Sequence, residues 1–308
     1  MDKKTKEIIL QLRVQVRGDN MITVFTPTYN REKKLHLVYE ALLKQDATLF
    51  EWLVVDDGST DNTEQVVENW IAEKKITIRY IKQENAGKSM AFNRGVKEAK
   101  GEFFVCCDSD DRLKENVLTV IQEKYETIKD EDLIAGIGFI SSKLNTNEVI
   151  GTKYPQDEMI SNYYDIYHKY GVQGDKQLMF KTDILKQYPF PQYGNEKFVP
   201  EALVFLRIAK KYKILFCNVF GEEKEYQDDG YTSQYFSLVK RNPRGNMQYF
   251  LELYDYEKKM YNIYGYILFG IYAKYSLKEM LQLHPAKGKV LVLYMPTKIV
   301  SWMKGKGK

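Results

Sequence analysis

From Met21 to about Ile121 the chain repeats one unit: a short apolar run rich in β-branched or aromatic residues, a polar turn, then apolar residues at helical spacing. No other feature limits the fold as tightly. "MITVFTP" from Met21 leads into a segment that sets Leu35, Val38, Leu42 and Gln45 on one helical side, and "EWLVV" from Glu51 leads into "DGSTDNTEQVVENW". There Asp61 and Glu64 have the spacing of a capping box, and Val66, Val67, Trp70 and Ile71 are expected to face inward. "ITIRYI" from Ile76 precedes a helix around Ala91, Gly95 and Ala99 closed by Gly101, and "EFFVCC" from Glu102 precedes one carrying Val117, Val120 and Ile121. Strands alternating with helices predict an α/β domain whose mainly parallel central sheet is covered on both faces.

Such a sheet binds its ligand beyond the carboxyl ends of the strands. Polar clusters stand there four times: "TPTYN", "DDGST", "QENAGKS" and "DSDD", four loops expected on one rim. The last is the most demanding, because "FFVCCDSDD" runs from a buried strand straight into three carboxylates, Asp108, Asp110 and Asp111. Neither G-x-G-x-x-G nor G-x-x-x-x-G-K-[ST] is present, which argues against a dinucleotide-binding or P-loop enzyme. Carboxylates alone repel a phosphate, so a cation has to stand between them. Mg2+ and Mn2+ use one or two carboxylates together with substrate phosphates, which makes Asp108 and Asp110 metal candidates. For Asp111 both ligation and capping of the next helix stay open.

Composition narrows the classes further. A formal charge of +4 over 308 residues does not call for a nucleic-acid partner. Three cysteines, two of them adjacent, make no disulfide framework and fit a reducing compartment. His36, His168 and His284 lack ligand spacing and read as surface or packing residues. With no cleavable leader and no run of eighteen apolar residues, a cytoplasmic location is expected.

"TPTYNR", "VVDDGSTDNT", "NAGKSMAFNRG" and "DSDD" resemble, in order, the signatures of family 2 glycosyltransferases, inverting enzymes of the glycosyltransferase-A fold, over about Met21 to Leu113. The resemblance implies a Rossmann-like, mostly parallel sheet flanked by helices. It implies that Asp108 and Asp110 form a D-x-D element holding Mn2+ or Mg2+ against the diphosphate of a nucleotide sugar, commonly a UDP-sugar. Thr26, Pro27, Thr28, Tyr29 and Asp57 would contact base and ribose, and Asn85, Gly87, Lys88, Arg94, Asp108 and Ser109 would border the nucleotide and sugar.

For the general base the family uses an E-D pair six residues before an arginine; here Pro200 and Glu201 take its place before Arg207, so Glu201 is favoured over Glu196. "EYQDDGYTSQ", 225–234, resembles the family's mobile loop, with Gln227 and Asp229 where arginine and histidine usually stand. Lys240, Arg241 or Arg244 are then the cations left to meet phosphate. "GVQGDKQLMFK", 171–181, resembles the acceptor-side lining. The implied activity is hexosyl or N-acetylhexosaminyl transfer to a glycan or lipid-linked acceptor in cell-surface polysaccharide synthesis. Two alternatives stand beside it: a nucleotidyltransferase, which would carry glycines where "TPTYNREKK" has none, and a silent module that binds a glycan or nucleotide.

Three regions are expected: a leader over 1–20, a catalytic domain over 21–240 and a helical region over 241–308. The last is rich in tyrosine and ends in "KGKVLVLYMPTKIVSWMKGKGK", aliphatic residues and Trp302 among lysines 287, 289, 298, 304, 306 and 308. Such a segment suits an anionic membrane surface and would place the protein on the inner face of the cell membrane. The competing reading is a helix packed on the protein with a basic tail.

Overall fold

All seven residues of β1 (Ile22–Thr28) are buried, as are all seven of β2 (Phe50–Asp56), which requires a sheet covered on both faces. The structure, a computed structural model, describes residues 22–224 and 235–305. The leader over 1–20 and the loop over 225–234 lie outside the described residues. Two compact units result: among the described residues the first comprises 22–189 and 211–224, the second 190–210 and 235–305.

The first unit follows the sequence pattern. After β1 come α1 (His36–Leu42), β2, α2 (Thr63–Glu73), β3 (Ile78–Lys82), α3 (Lys88–Glu98), β4 (Phe103–Cys106), the short β5 (Arg112–Leu113) and α4 (Val117–Ile128). Then follow β6 (Ile134–Lys143), β7 (Glu158–Ser161), α5 (Tyr163–His168), β8 (Lys176–Lys181), α6 (Thr182–Leu185) and, after the chain returns from the second unit, β9 (Lys213–Lys224). The strands form one sheet in the order β3-β2-β1-β4-β8-β6-β9-β5, with β7 also on β9. β3, β2, β1 and β4 run parallel, as the alternation predicts, and β6 pairs parallel with β9. β8 enters antiparallel between β4 and β6, a feature without a signature in the repeating pattern.

Packing explains the register. On one face Trp52 is fully buried in a ladder with Tyr39 and Trp70, whose rings lie 4.4 Å apart. On the other, Phe25 meets Phe92 and Phe104, and Gly95 is required because a Cβ there would come within 2.4 Å of the Phe25 ring. Two expectations fail on α2. Its inward side is built from Thr63, Val67 and Trp70, which leaves Ile71 38% exposed. Asp61 and Glu64 form no capping box: Asp61 accepts from the Thr63 hydroxyl at 2.6 Å and from the Glu32 N–H at 3.1 Å, while Glu64 pairs with Lys82 at 2.6 Å. Tertiary partners outcompete the local cap.

The second unit comprises α7 (Glu201–Ala209), α8 (Tyr235–Arg241), α9 (Pro243–Glu257), α10 (Met260–Tyr272), α11 (Leu277–Leu283) and α12 (Lys287–Gly305). Glu252, buried on α9, accepts from Arg207 at 2.9 Å and Lys210 at 2.6 Å, and the Tyr256 hydroxyl donates to the Leu206 carbonyl at 2.6 Å. These bonds fasten α7 to α9. No helix among the described residues is long and apolar enough to cross a membrane.

His284 ends α11 inside this core, between the rings of Tyr254 and Tyr266, each 4.7 Å away, and its Nδ1 accepts the Ala286 N–H at 3.0 Å. Burial lowers its pKa to about 4. The unfolded chain protonates this ring near 6.5 and the folded chain only near 4, so stability is lost as pH falls through that interval, by up to about 3 kcal/mol. Thermal melts followed by helical circular dichroism should therefore fall more steeply between pH 7 and pH 5 in the natural chain than in His284→Phe. Parallel pH dependences would refute the assignment.

Candidate functional site

The four polar loops do meet on one rim, and hydrogen bonds tie each to its neighbours. Asn30, at φ 53° in the left-handed region that asparagine tolerates, donates its N–H to Ser59 Oγ at 2.8 Å and accepts the Thr60 N–H at 2.8 Å. Glu32 accepts from the Asn62 backbone at 2.9 Å. These contacts join the loops after β1 and β2. Asp57 then joins the second loop to the third: its carboxylate accepts from Gln83 at 2.8 Å, the Ala86 N–H at 2.9 Å and the Gly87 N–H at 2.7 Å, and its carbonyl accepts from Asn85 at 2.8 Å. Gly87 sits at φ 92°, where a side chain would be strained, so glycine opens α3 with its N–H turned to Asp57.

The acidic turn after β4 is compensated from three other elements. Lys88, at the start of α3, reaches Asp108 at 2.8 Å, Arg31 approaches Asp110 at 3.9 Å, and Lys224, the last residue of β9, bonds Asp111 at 2.9 Å and Glu222 at 3.3 Å. Glu222 also accepts from Ser141 at 2.9 Å. Four carboxylates thus face three cations. Burial pushes the Asp108 carboxyl up, but Lys88, Lys224 and Arg31 outweigh it and hold it below the ordinary range. Asp111 goes the other way: burial and the neighbouring Glu222 and Asp108 raise it, although Lys224 opposes.

The turn is therefore divided in two. Asp111 is 8% exposed and paired with Lys224, and it is Asn116, not Asp111, that precedes α4. Asp108 and Asp110 keep 31% and 25% of their side chains exposed. Among the described residues no group of three His, Cys, Asp or Glu side chains forms a ready cage. Two reachable carboxylates are a donor set that Mg2+ or Mn2+ can complete with substrate oxygens, so the residues fit that kind of ion.

The other sequence candidates separate by position. Thr28 is buried and its hydroxyl has no partner among the described residues, while Tyr29 is 48% exposed on the rim. Pro27 and Ser109 are buried. Thr26 is not on the rim: it is fully buried and accepts from the Trp52 indole at 3.0 Å, because it lies inside the strand on the face that carries that ring. Arg94 pairs with Glu98 at 3.1 Å on the surface of α3, six residues or about 9 Å beyond Lys88, and does not join the acidic turn.

In the second unit Glu201 is the first residue of α7, and Arg207 is held by Glu252. Glu196 accepts the N–H groups of Arg244, at 3.0 Å, and Gly245, at 3.3 Å, at the start of α9. Lys240 lies over the Tyr272 ring. Arg31, Glu222 and Lys224 carry no assignment from sequence. Arg31 stood inside a recognised motif, whereas Lys224 is 113 residues from Asp111 and only the fold joins them.

Removing Lys224 would leave Asp111 and Glu222 buried without their shared cation. Lys224→Met is expected to lower stability in urea unfolding by about 3 kcal/mol. Lys143→Met, which breaks the exposed Lys143–Glu148 pair, should cost under about 1 kcal/mol. Equal effects would show that the buried pair is not structural.

Comparison with known proteins agrees with this architecture. Residues 23–188, more than half of the chain, match the family model described as Glycosyl transferase family 2. Glycosyltransferase GlyG of Streptococcus pneumoniae serotype 4 is 28% identical over 223 residues, 72% of this chain and 66% of that protein, so the chain spans just under two thirds of that relative. Poly(ribitol-phosphate) beta-N-acetylglucosaminyltransferase TarS of Staphylococcus aureus is 38% identical over 98 residues, 31% of this chain but 17% of TarS. The crystal structure of TarS 1-349 in complex with UDP-GlcNAc shares the fold at a TM-score of 0.57 and 19% identity, over 92% of each chain. A mannosyltransferase of Pyrobaculum calidifontis, solved with GDP-Man and Mn2+, does so at 0.54 and 19%, over 94% of this chain and 85% of its own. With its four rim motifs inside the matched segment, the chain belongs to glycosyl transferase family 2.

Proposed function

We propose that the protein transfers a hexosyl or N-acetylhexosaminyl group from a UDP-sugar to a hydroxyl of a growing cell-surface glycan, free or lipid-linked, with inversion at the anomeric carbon. The observation that carries this reading is the divided acidic turn: Asp111 is locked to Lys224 while Asp108 and Asp110 stay reachable on a rim built from three further loops. The UDP-GlcNAc and GDP-Man complexes of the two structural relatives support a nucleotide-sugar donor. The Mn2+ in the second supports a divalent ion.

Asp108 and Asp110 would hold Mg2+ or Mn2+, which when bound supplies positive charge against the diphosphate leaving group. Lys88 adds a fixed cation at the same turn. The Thr28 hydroxyl, without a partner among the described residues, and the exposed Tyr29 ring would meet the nucleoside. Asp57, with three donors already on its carboxylate, shapes the Asn85–Gly87 loop and so positions the groups that border the sugar. The family resemblance makes Glu201 the candidate base for the acceptor hydroxyl, whose oxygen would bond to the anomeric carbon as the bond to the diphosphate breaks on the opposite side. Glu196 is less suited to that role, because its carboxylate already accepts two backbone N–H groups. A place at the inner face of the cell membrane belongs to the same proposal.

With a panel of UDP-sugars and Mn2+ or Mg2+, UDP release should fall by about 10²–10³ in Asp110→Asn, the scale of losing a preorganised charge partner. Glu201→Gln should lower kcat with little change in KM. Unchanged release in Asp110→Asn, or in the presence of chelator, would remove the ion from the proposal. Pyrophosphate release from a nucleoside triphosphate would replace the reading with nucleotidyl transfer.

A further inference from the structure

α12 has two faces. Val290 and Thr297 are buried and Leu293 and Tyr294 half-buried, packing the helix onto the second unit's core. The opposite side exposes Leu291, Val292, Met295, Ile299, Trp302 and Met303, each between 54% and 71%. At about 100° per residue these six occupy one continuous arc of about 120°, centred opposite the buried side. On the same projection Lys287 and Lys298 border one edge of the arc and Lys289 the other, and all three are exposed. From Leu281 to Lys308 the sequence has six lysines and no acidic residue.

We infer that this face of α12 docks on an anionic lipid surface, the apolar arc entering the headgroup boundary and the bordering lysines meeting lipid phosphates. An apolar stripe with cations on both flanks is the pattern of an interfacial helix. Charge decides the occupant: a second copy seated on the same face would bring lysine rims together with no carboxylate from this segment between them, whereas an anionic bilayer neutralises both. The inference gives the membrane location of the proposed function its residues. It does not depend on sugar chemistry, since a chain that docks but cleaves no donor would overturn only that function.

The test is flotation of the full chain with phosphatidylcholine vesicles and with vesicles containing phosphatidylglycerol at 3:1. Binding is expected to the anionic vesicles and to weaken with salt. It should drop at least about tenfold in Val292→Glu/Ile299→Glu, whose substitutions lie in the exposed arc. UDP release from soluble donor without vesicles should be unchanged in that variant. Trp302 fluorescence should shift to the blue on anionic vesicles and be quenched by brominated lipid, and Trp302→Phe should abolish both, a readout in the natural chain that does not depend on the glutamate variant folding. Equal partition of the two chains, or no Trp302 quenching, would overturn the inference. So would a concentration-dependent dimer that the glutamates abolish in the absence of vesicle binding, which would make the face a self-interface.

Discussion

The site depends on how one sheet tolerates three carboxylates at the end of a buried strand. The structure does so by importing cations from distant parts of the chain: Arg31 from the loop after β1, Lys88 from α3 and Lys224 from the end of β9. A buried carboxylate without such a partner either costs several kcal/mol or takes up a proton. Compensation therefore comes before chemistry. Burial raises Asp111 and Glu222 toward the neutral form, whereas Asp108 and Asp110 keep side chains that a divalent ion could reach.

Rigidity of the rim follows from the same economy of partners. Asp57, Asn30, Asp61 and Glu32 all bond backbone N–H groups of a neighbouring loop. The first three loops consequently borrow their shape from one another, and Lys88 ties the fourth to them through Asp108. Surface pairs such as Lys143–Glu148 have no comparable consequence, being screened and free to rearrange. The second unit uses the same device where buried Glu252 gathers Arg207 and Lys210 and fixes α7 against α9.

The parallel half of the sheet was legible because short apolar runs and helical patterns alternate cleanly from β1 to α4, and because the polar loops fall at the strand ends where such sheets bind ligands. The place of the acidic turn, just after β4, was legible for the same reason. The antiparallel insertion of β8 was not, since a short apolar run is silent about its direction. Asp61 shows another limit: its spacing to Glu64 fitted a cap, but a partner in a different loop won. Thr26 was misplaced because a motif read as a loop still belongs to the strand at its first positions. Lys224 was invisible because no local pattern records a contact across 113 residues. The amphipathic end of the chain was legible in composition, but which of its residues face outward required the packing of Val290 and Thr297.

Calorimetric titration of UDP into the protein with Mn2+ and with chelator, for the natural chain and for Asp108→Asn, tests the role of the acidic turn most directly. Binding should be at least about tenfold tighter with Mn2+ in the natural chain, and that increment should be lost in the variant. Affinity indifferent to ion, chelator and substitution alike would contradict it, since the acidic turn would then play no part in holding the diphosphate.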